Sequence, residues 1–334
     1  MKNNFLLPGA FKLCLLAFLI FLSLGSCSTG DSGFSPRMLG GSSQAITFLS
    51  CRAVSEKEIE FVFSKPVIVK QITFEPELSV VSIENGSTVR INLEENPGPG
   101  KLIKADLLAE DEKKNSINVL VSFRSRNNNM PSLVINELCT EYSNPKTEYI
   151  EFKMKSDGNL GAMRVFVIGN SNAARQTVFE FSPVNVKSGE YVVLHLRNIE
   201  ESSKDEYGVN LAESGGRNAS PAARDFWFPG NTKRLHKTSI VYVLDQDDTV
   251  LCAVLINENP GAPWPKDYFT ETANLLTEKG VWHGEAVSSA GTTNTRTICR
   301  DETVPNSKSA ADWYITATSS ATPGSLNNPK RYLN

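Results

Sequence analysis

Past residue 44, apolar and polar side chains repeatedly change places every second position. Ile59, Phe61 and Phe63 alternate with Glu58, Glu60 and Val62, the period of a strand with one buried face. Further strand-like runs cover 67–74, 80–83, 88–93, 102–109 and 117–123. Asn85-Gly86 predicts a tight hairpin turn with positive φ, and Pro97-Gly98-Pro99-Gly100 predicts a loop. About seven short strands in roughly eighty residues predict a β-sandwich over residues 44–125.

The stretch 124–131 is polar, with three consecutive asparagines, and reads as an inter-domain linker. A second β-rich unit follows over 132–328. Its strand-like runs include 133–138, 148–152, 178–181, 191–196, 240–244 and 249–255, with 296–300 and 313–316 as closing strands. Two insertions interrupt the pattern. The one near 200–231 is polar and turn-rich, with Gly215-Gly216 and Pro229-Gly230. The one near 257–295 holds a helix over about Pro265 to Lys279. Pro265 suits its first turn, Gly280 suits the position past its end, and Phe269, Ala273 and Leu276 share a face.

Particular phrases within these strands add family resemblances. The run from Glu58 to Val67, ending Phe63-Ser-Lys-Pro-Val67, with Val119-Leu-Val-Ser-Phe123, resembles bacterial Ig-like modules of extracellular proteins. Leu133-Val-Ile-Asn-Glu-Leu138, Glu148-Tyr-Ile-Glu-Phe152 and Ala321-Thr-Pro-Gly-Ser-Leu-Asn327 resemble the lamin-tail domain, an Ig-like sandwich of nuclear lamins and of bacterial surface and secreted proteins. Residues 158–163 depart from that family's usual phrase after the second strand. Together the resemblances imply an all-β chain of two tandem Ig-like β-sandwich domains, the second lamin-tail-like with loop insertions and one helix.

The N-terminus has another character. Lys2 is followed by an apolar run from Leu13 to Leu24 and then by Gly25-Ser26-Cys27. The run is too short to span a bilayer, which takes about twenty residues, and has the cationic start and small-residue exit of a cleaved signal peptide over residues 1–26. Leu24-Gly-Ser-Cys27 resembles the lipobox of bacterial lipoproteins. That resemblance implies a diacylglycerol on the Cys27 thiol, cleavage before Cys27 and acylation of the new amine, as in palmitate-bearing lipoproteins. Residues 27–43 are rich in Ser, Gly, Thr and Pro and read as a flexible tether. The expected place is the cell envelope, lipid-anchored on the extracytoplasmic side, with the membrane itself as the first partner.

Charge narrows the other partners. Removing Lys2 and Lys12 leaves 32 Lys and Arg against 37 Asp and Glu, a net charge of −5. A mildly acidic chain without a basic cluster argues against nucleic acid. Four cysteines follow the anchor, Cys51, Cys139, Cys252 and Cys299. In an exported protein they admit a disulfide, with Cys252 and Cys299 the preferred pair because both sit in strand-like runs of one unit.

Catalytic signatures are sparse. His195, His236 and His283 lack zinc-ligand spacing, and His195 reads as a surface or half-buried strand residue. Asp245, Asp247 and Asp248 crowd one turn, where Asp is favoured for capping, without the EF-hand spacing of a Ca²⁺ loop. Glu137, Glu148 and Glu151 are an acid–base set only if the fold brings them together. The aromatic residues Phe226, Trp227, Phe228, Trp264 and Trp282 have two readings. They pin the insertions onto the sandwich, which long loops without a core require, or they form a binding surface for a glycan or an envelope protein. Arg217, Arg224, Lys233 and Arg234 flank them.

The expectation is a non-enzymatic binding or scaffold module with no cofactor, no metal and no catalytic residue. The alternative is an extracytoplasmic metal-dependent hydrolase of phosphoesterase or nuclease type, because bacterial lamin-tail domains also accompany such enzymes.

Overall fold

A computed structural model describes residues 45–169 and 175–333 of the chain. The expected signal peptide, Cys27 and the expected tether lie outside the described residues. Among those described, the chain is nearly all β, with several sheets stacked as sandwiches around two separate apolar cores.

The first sandwich contains β1 (Phe48–Ala53), β2 (Glu58–Glu75), β3 (Val80–Glu84), β4 (Gly86–Leu93), β5 (Leu102–Glu110) and β6 (Ser116–Arg124). Its strand order is β3-β4-β2-β5-β6, with β1 also on β2. The two runs expected on either side of Pro66 are one 18-residue strand. The first half of β2 pairs with β1 and β4, and its second half, from Ile68, pairs with β5. The switch falls at Ser64-Lys65-Pro66, where the pairing with β4 jumps from Val62 to Val67. Proline has no N–H to give a ladder, so it fits where a strand leaves one partner for another. Ile59, Phe61, Phe63 and Val67 are buried along β2, as the alternation requires. Asn85-Gly86 is not the two-residue turn expected. Gly86 already belongs to β4, Glu84 pairs with Arg90, and the Asn85 side chain instead accepts the Val69 N–H at 2.8 Å.

The second sandwich runs through β7 (Leu133–Cys139), β8 (Tyr149–Met154), β9 (Gly158–Asn159), β10 (Arg164–Gly169) and β11 (Gln176–Glu180). It continues with β12 (Asn185–Val186), β13 (Tyr191–His195), β14 (Arg224–Trp227), β15 (Ser239–Leu244) and β16 (Val250–Asn257). Helix α1 (Asp267–Glu278), β17 (Val287–Ser288), β18 (Ile298–Arg300) and β19 (Trp313–Ile315) complete it. One sheet has the order β11-β10-β15-β16-β17 and the facing sheet the order β14-β13-β8-β7-β18-β19. Helix α1 buries Phe269, Ala273 and Leu276, the face read from the sequence, and Gly280 takes φ +66° just past its end.

A register shift in β7 decides what the six-stranded sheet carries on its far side. Ile135 pairs with Phe152, but Glu137 pairs with Glu151, so Asn136 is an extra residue on β7. Such a bulge moves the following side chains to the opposite face. Leu133, Ile135 and Leu138 therefore enter the main core, while Glu137 and Cys139 turn to the outer face. There Glu151, Tyr149 and His195 join them from β8 and β13 by ordinary alternation.

Candidate functional site

That outer face is polar, yet it is closed. The insertion between β13 and β14 and the closing segment after β19 lie across it. Glu137, Glu151, Thr147, His195, Asp225, Thr297 and Thr316 are all at most 1% exposed.

Two carboxylates meet at its centre. Glu137 accepts from the Thr297 hydroxyl at 2.5 Å and from the Thr322 backbone N–H at 3.2 Å. Glu151 accepts from the Asn136 amide at 2.9 Å and from the Gly324 backbone N–H at 2.6 Å. The Thr322-Pro323-Gly324 phrase is thus held down by the two glutamates of the Asn-Glu and Tyr-Ile-Glu phrases. Asn327 finishes the closure, donating its amide to the carbonyls of Asn136 and Arg300 at 3.1 and 2.9 Å. Burial pushes both carboxyls above the ordinary range, and with the neighbouring Glu137 charge it brings Glu151 to about 8.

A second polar line runs along β13 and β14. His195 Nε2 meets Asp225 Oδ1 at 2.8 Å, and its Nδ1 meets Thr147 Oγ1 at 3.2 Å. Asp225 also accepts the Ser220 N–H at 2.8 Å, while Glu206 accepts the N–H of Asp225 and of Ser214. The Trp227 indole stacks on the imidazole, with centroids 3.8 Å apart. Carboxylate, imidazole and hydroxyl in this order form the relay of nucleophilic hydrolases. Here Thr147 is 1% exposed and the ring is roofed by Trp227, so the arrangement bonds the insertion to the sheet and presents no hydroxyl to solvent. The sequence reading missed it, and placed His195 too near the surface. Residues 147, 195 and 225 carry no local motif, and β14 lies parallel to β13 at the sheet edge, a pairing that spacing does not announce.

The carboxylates foreseen as one set separate. Glu148 leaves the pair and forms a two-pronged ion pair with Arg197, at 2.5 and 2.6 Å. The Asp-rich turn is taken by arginines. Arg126 grips Asp247 with both terminal nitrogens at 2.6 Å, Arg164 reaches Asp248 at 2.7 Å, and Asp245 accepts the N–H groups of Asp247 and Thr249. Among the described residues, no group of three or more His, Cys, Asp or Glu side chains is placed to hold a metal ion.

The aromatic residues divide by strand alternation. Phe226 enters the main core and Trp227 covers His195, so neighbouring rings face opposite sides of one strand. Trp282 is 1% exposed in the core. Trp264 is half-buried, stacked on Phe269 at 5.5 Å, and Phe228 is half-buried beneath the Arg234 guanidinium at 3.9 Å. A joint binding surface of Phe226, Trp227, Phe228, Trp264 and Trp282 is therefore corrected to a set of anchors for the two insertions. The flanking cations are also engaged: Arg217 with Glu200, Arg224 with Glu190, Lys233 with Glu141, and Arg234 with the carbonyls of Leu196, Thr232 and Pro229.

The disulfide expectation is corrected too. Cys252 and Cys299 are free thiols, as are Cys51 and Cys139. Cys252 lies on β16 of one sheet and Cys299 on β18 of the other. The Cys299 thiol turns to the outer face, 3.7 Å from Thr297 Oγ1, away from the facing sheet.

A family model described as the second domain of the TP_1001 protein matches residues 131–315, more than half of the chain. An uncharacterized protein of Treponema pallidum (strain Nichols) is 27% identical over 200 residues, 56% of this chain and 49% of that protein. The chain thus spans about half the length of this relative. The crystal structure of the N-terminal part of the bacterial S-layer protein SbsC is 16% identical, covers 64% of this chain and 44% of its own, and superposes with a TM-score of 0.24.

Proposed function

The chain belongs to the TP_1001 second-domain family, and we propose that it is a lipid-anchored binding or scaffold module of the cell envelope. The observation that carries this reading is the use of the buried polar groups. Glu137, Glu151, His195, Asp225 and Glu148 are spent on fastening the closing segment and the insertions to a sheet. A sandwich braced in this way is a rigid platform, and rigid platforms present loops to partners. The finer reading of the second sandwich as lamin-tail-like is supported by its three phrases. The Asn136-Glu137, Tyr149-Ile-Glu151 and Thr322-Pro-Gly324 motifs meet at one closure, which gives a physical reason for their occurring together.

Anchoring rests on the lipobox at Cys27, with residues 27–43 as the flexible tether to the globular part. A diacylated, N-acylated cysteine contributes roughly 0.8 kcal/mol per buried methylene, and two or more chains suffice for stable anchoring. Radiolabelled palmitate is expected to enter the wild-type protein and not the Cys27→Ala variant. Undiminished labelling of that variant would remove the anchor. The binding role is tested by cross-linking in intact cells. Specific capture of one envelope component by the anchored protein is expected, and its absence in replicate captures would overturn the role.

A further inference from the structure

We propose that the cleft at the β18 end of the second sandwich is a carboxylate-binding site built around Arg300. The inference gives the binding-module reading a ligand class. It rests on that reading for its biological use, while its test involves no lipid and no cross-linking, so each can fail alone.

Alternation along β18 sends Thr297 and Cys299 to the outer face and Ile298 and Arg300 inward, between the sheets. Ile298 completes the core. Arg300, next on the same face, is only 5% exposed. Its guanidinium has no ion pair and no hydrogen bond to any described residue, and its Nε is fully enclosed without an acceptor. A buried guanidinium that meets no acceptor loses its hydration and gains little in return. Buried polar groups in folded proteins are almost always paired, so an exception calls for a reason. An apolar residue of similar length would fill this inward position at less cost.

The acids next to Arg300 in sequence are committed elsewhere. Asp301 accepts from the backbone and hydroxyl of Thr303 and pairs with Arg331 at 2.7 Å. Glu302 is held by Lys153 and by the Asn327 N–H at 3.1 Å. Neither meets the guanidinium in a hydrogen bond or ion pair, although the Thr303 hydrogen bonds, with help from the Arg300 charge, hold the Asp301 carboxyl below the usual carboxylate range.

Arg300 lines a cleft of about 50 Å³ together with Ile135, Cys252, Trp282, Trp313 and Lys308. That volume admits a few water-sized groups and so the head of a carboxylate. The planar fork of arginine matches a carboxylate with two parallel hydrogen bonds. Lys308, whose ammonium donates to the Gly280 carbonyl at 3.0 Å, adds a second positive charge at the site. The isoleucine, tryptophan and cysteine walls suit the carbon stem that follows the carboxylate, which favours an organic acid over an inorganic oxyanion. Such a group comes from a peptide carboxy terminus or from an acidic side chain.

Titration calorimetry of the full-length protein distinguishes these sources. The probes are N-acetyl-alanyl-alanine, its uncharged terminal amide, N-acetyl-glutamic acid α-amide and sodium sulfate, all at matched ionic strength. Saturable binding of at least one carboxylate and none of the amide is expected, and which acid binds more tightly identifies the source. Arg300→Lys keeps the charge and loses the fork, and is expected to weaken binding roughly tenfold or more. Arg300→Met is expected to abolish binding while melting, without ligand, no lower than the wild type. Equal binding of acid and amide by the wild type, or tighter binding of sulfate than of either acid, would overturn the proposal. So would a clear drop in the melting point of ligand-free Arg300→Met, because the guanidinium would then be a structural strut.

Discussion

Glu151 holds a proton in the folded chain that the unfolded chain gives up. Burial raises its pKa from 4.5 to about 8, and Glu137 moves in the same direction. The stability this contributes is fully present below about pH 4.5 and is lost as pH rises through about 8. The urea midpoint is therefore expected to fall between pH 5 and pH 8.5, opposite to the usual trend for paired carboxylates. Glu151→Gln should flatten this slope while costing about 1–2 kcal/mol, because its single amide oxygen replaces two carboxyl oxygens that accept separately from Asn136 and Gly324. A wild-type midpoint that stays level across this range would refute the assignment. The same reasoning separates two aspartates by burial. Asp225→Ala strands the His195 and Ser220 donors in the interior and is expected to cost about 3–5 kcal/mol by chemical denaturation. Asp247→Ala breaks an ion pair whose carboxylate is half exposed, where surface pairs contribute about 1 kcal/mol or less.

At the scale of elements, the closing segment acts as a latch whose fit depends on one glycine. Gly324 has φ +81°, and a Cβ there would lie 2.7 Å from Ser220 Oγ and 2.8 Å from the Ala222 carbonyl carbon. Gly324→Ala is therefore expected to cost about 1–3 kcal/mol, and to speed hydrogen exchange at the Thr322 and Gly324 amides while α1 exchanges as before. Unchanged exchange at those two amides would mean that the glutamates do not hold the latch. The helix and the latch differ in how far the sequence announces them. The period of Phe269, Ala273 and Leu276, with Pro265 and Gly280 at its ends, marks α1 from local order alone. The latch was legible only as three separate phrases, because the bonds joining them link Glu137 to Thr322 and Glu151 to Gly324 across most of the second sandwich.

In the whole molecule, the two sandwiches are joined by short polar contacts rather than a loose linker. Arg124 pairs with Glu180, Arg126 with Asp247, and the Asn127 amide donates to the carbonyls of Asn159 and Gly161 at 2.8 Å. Backbone meets backbone where the Pro97–Gly100 loop touches Gly161. A Cβ on Gly161 would lie 2.9 Å from the Pro99 carbonyl oxygen and 3.0 Å from Gly100 Cα. Gly161→Val is expected to pry the sandwiches apart, so that one calorimetric unfolding transition becomes two with each core kept. A single sharp transition in the variant would argue that the joint carries little coupling.

The order of apolar and polar positions determined by itself that the chain is β-rich, where most strands and the helix lie, and which side chains of β2 and α1 face a core. These follow from local periods of two and 3.6 residues, which belong to the backbone. The sequence also carries the Leu24-Gly-Ser-Cys27 phrase, whose resemblance to a lipobox needs no fold to be read. Only the tertiary structure decided that Phe226 and Trp227 face opposite sides, that Cys252 and Cys299 stay apart, that His195 is buried, and that the buried Arg300 Nε is left without an acceptor. Each depends on a bulge at Asn136, a parallel edge strand or a contact between the two sheets. Those pairings join residues far apart in the chain, and no local period records them.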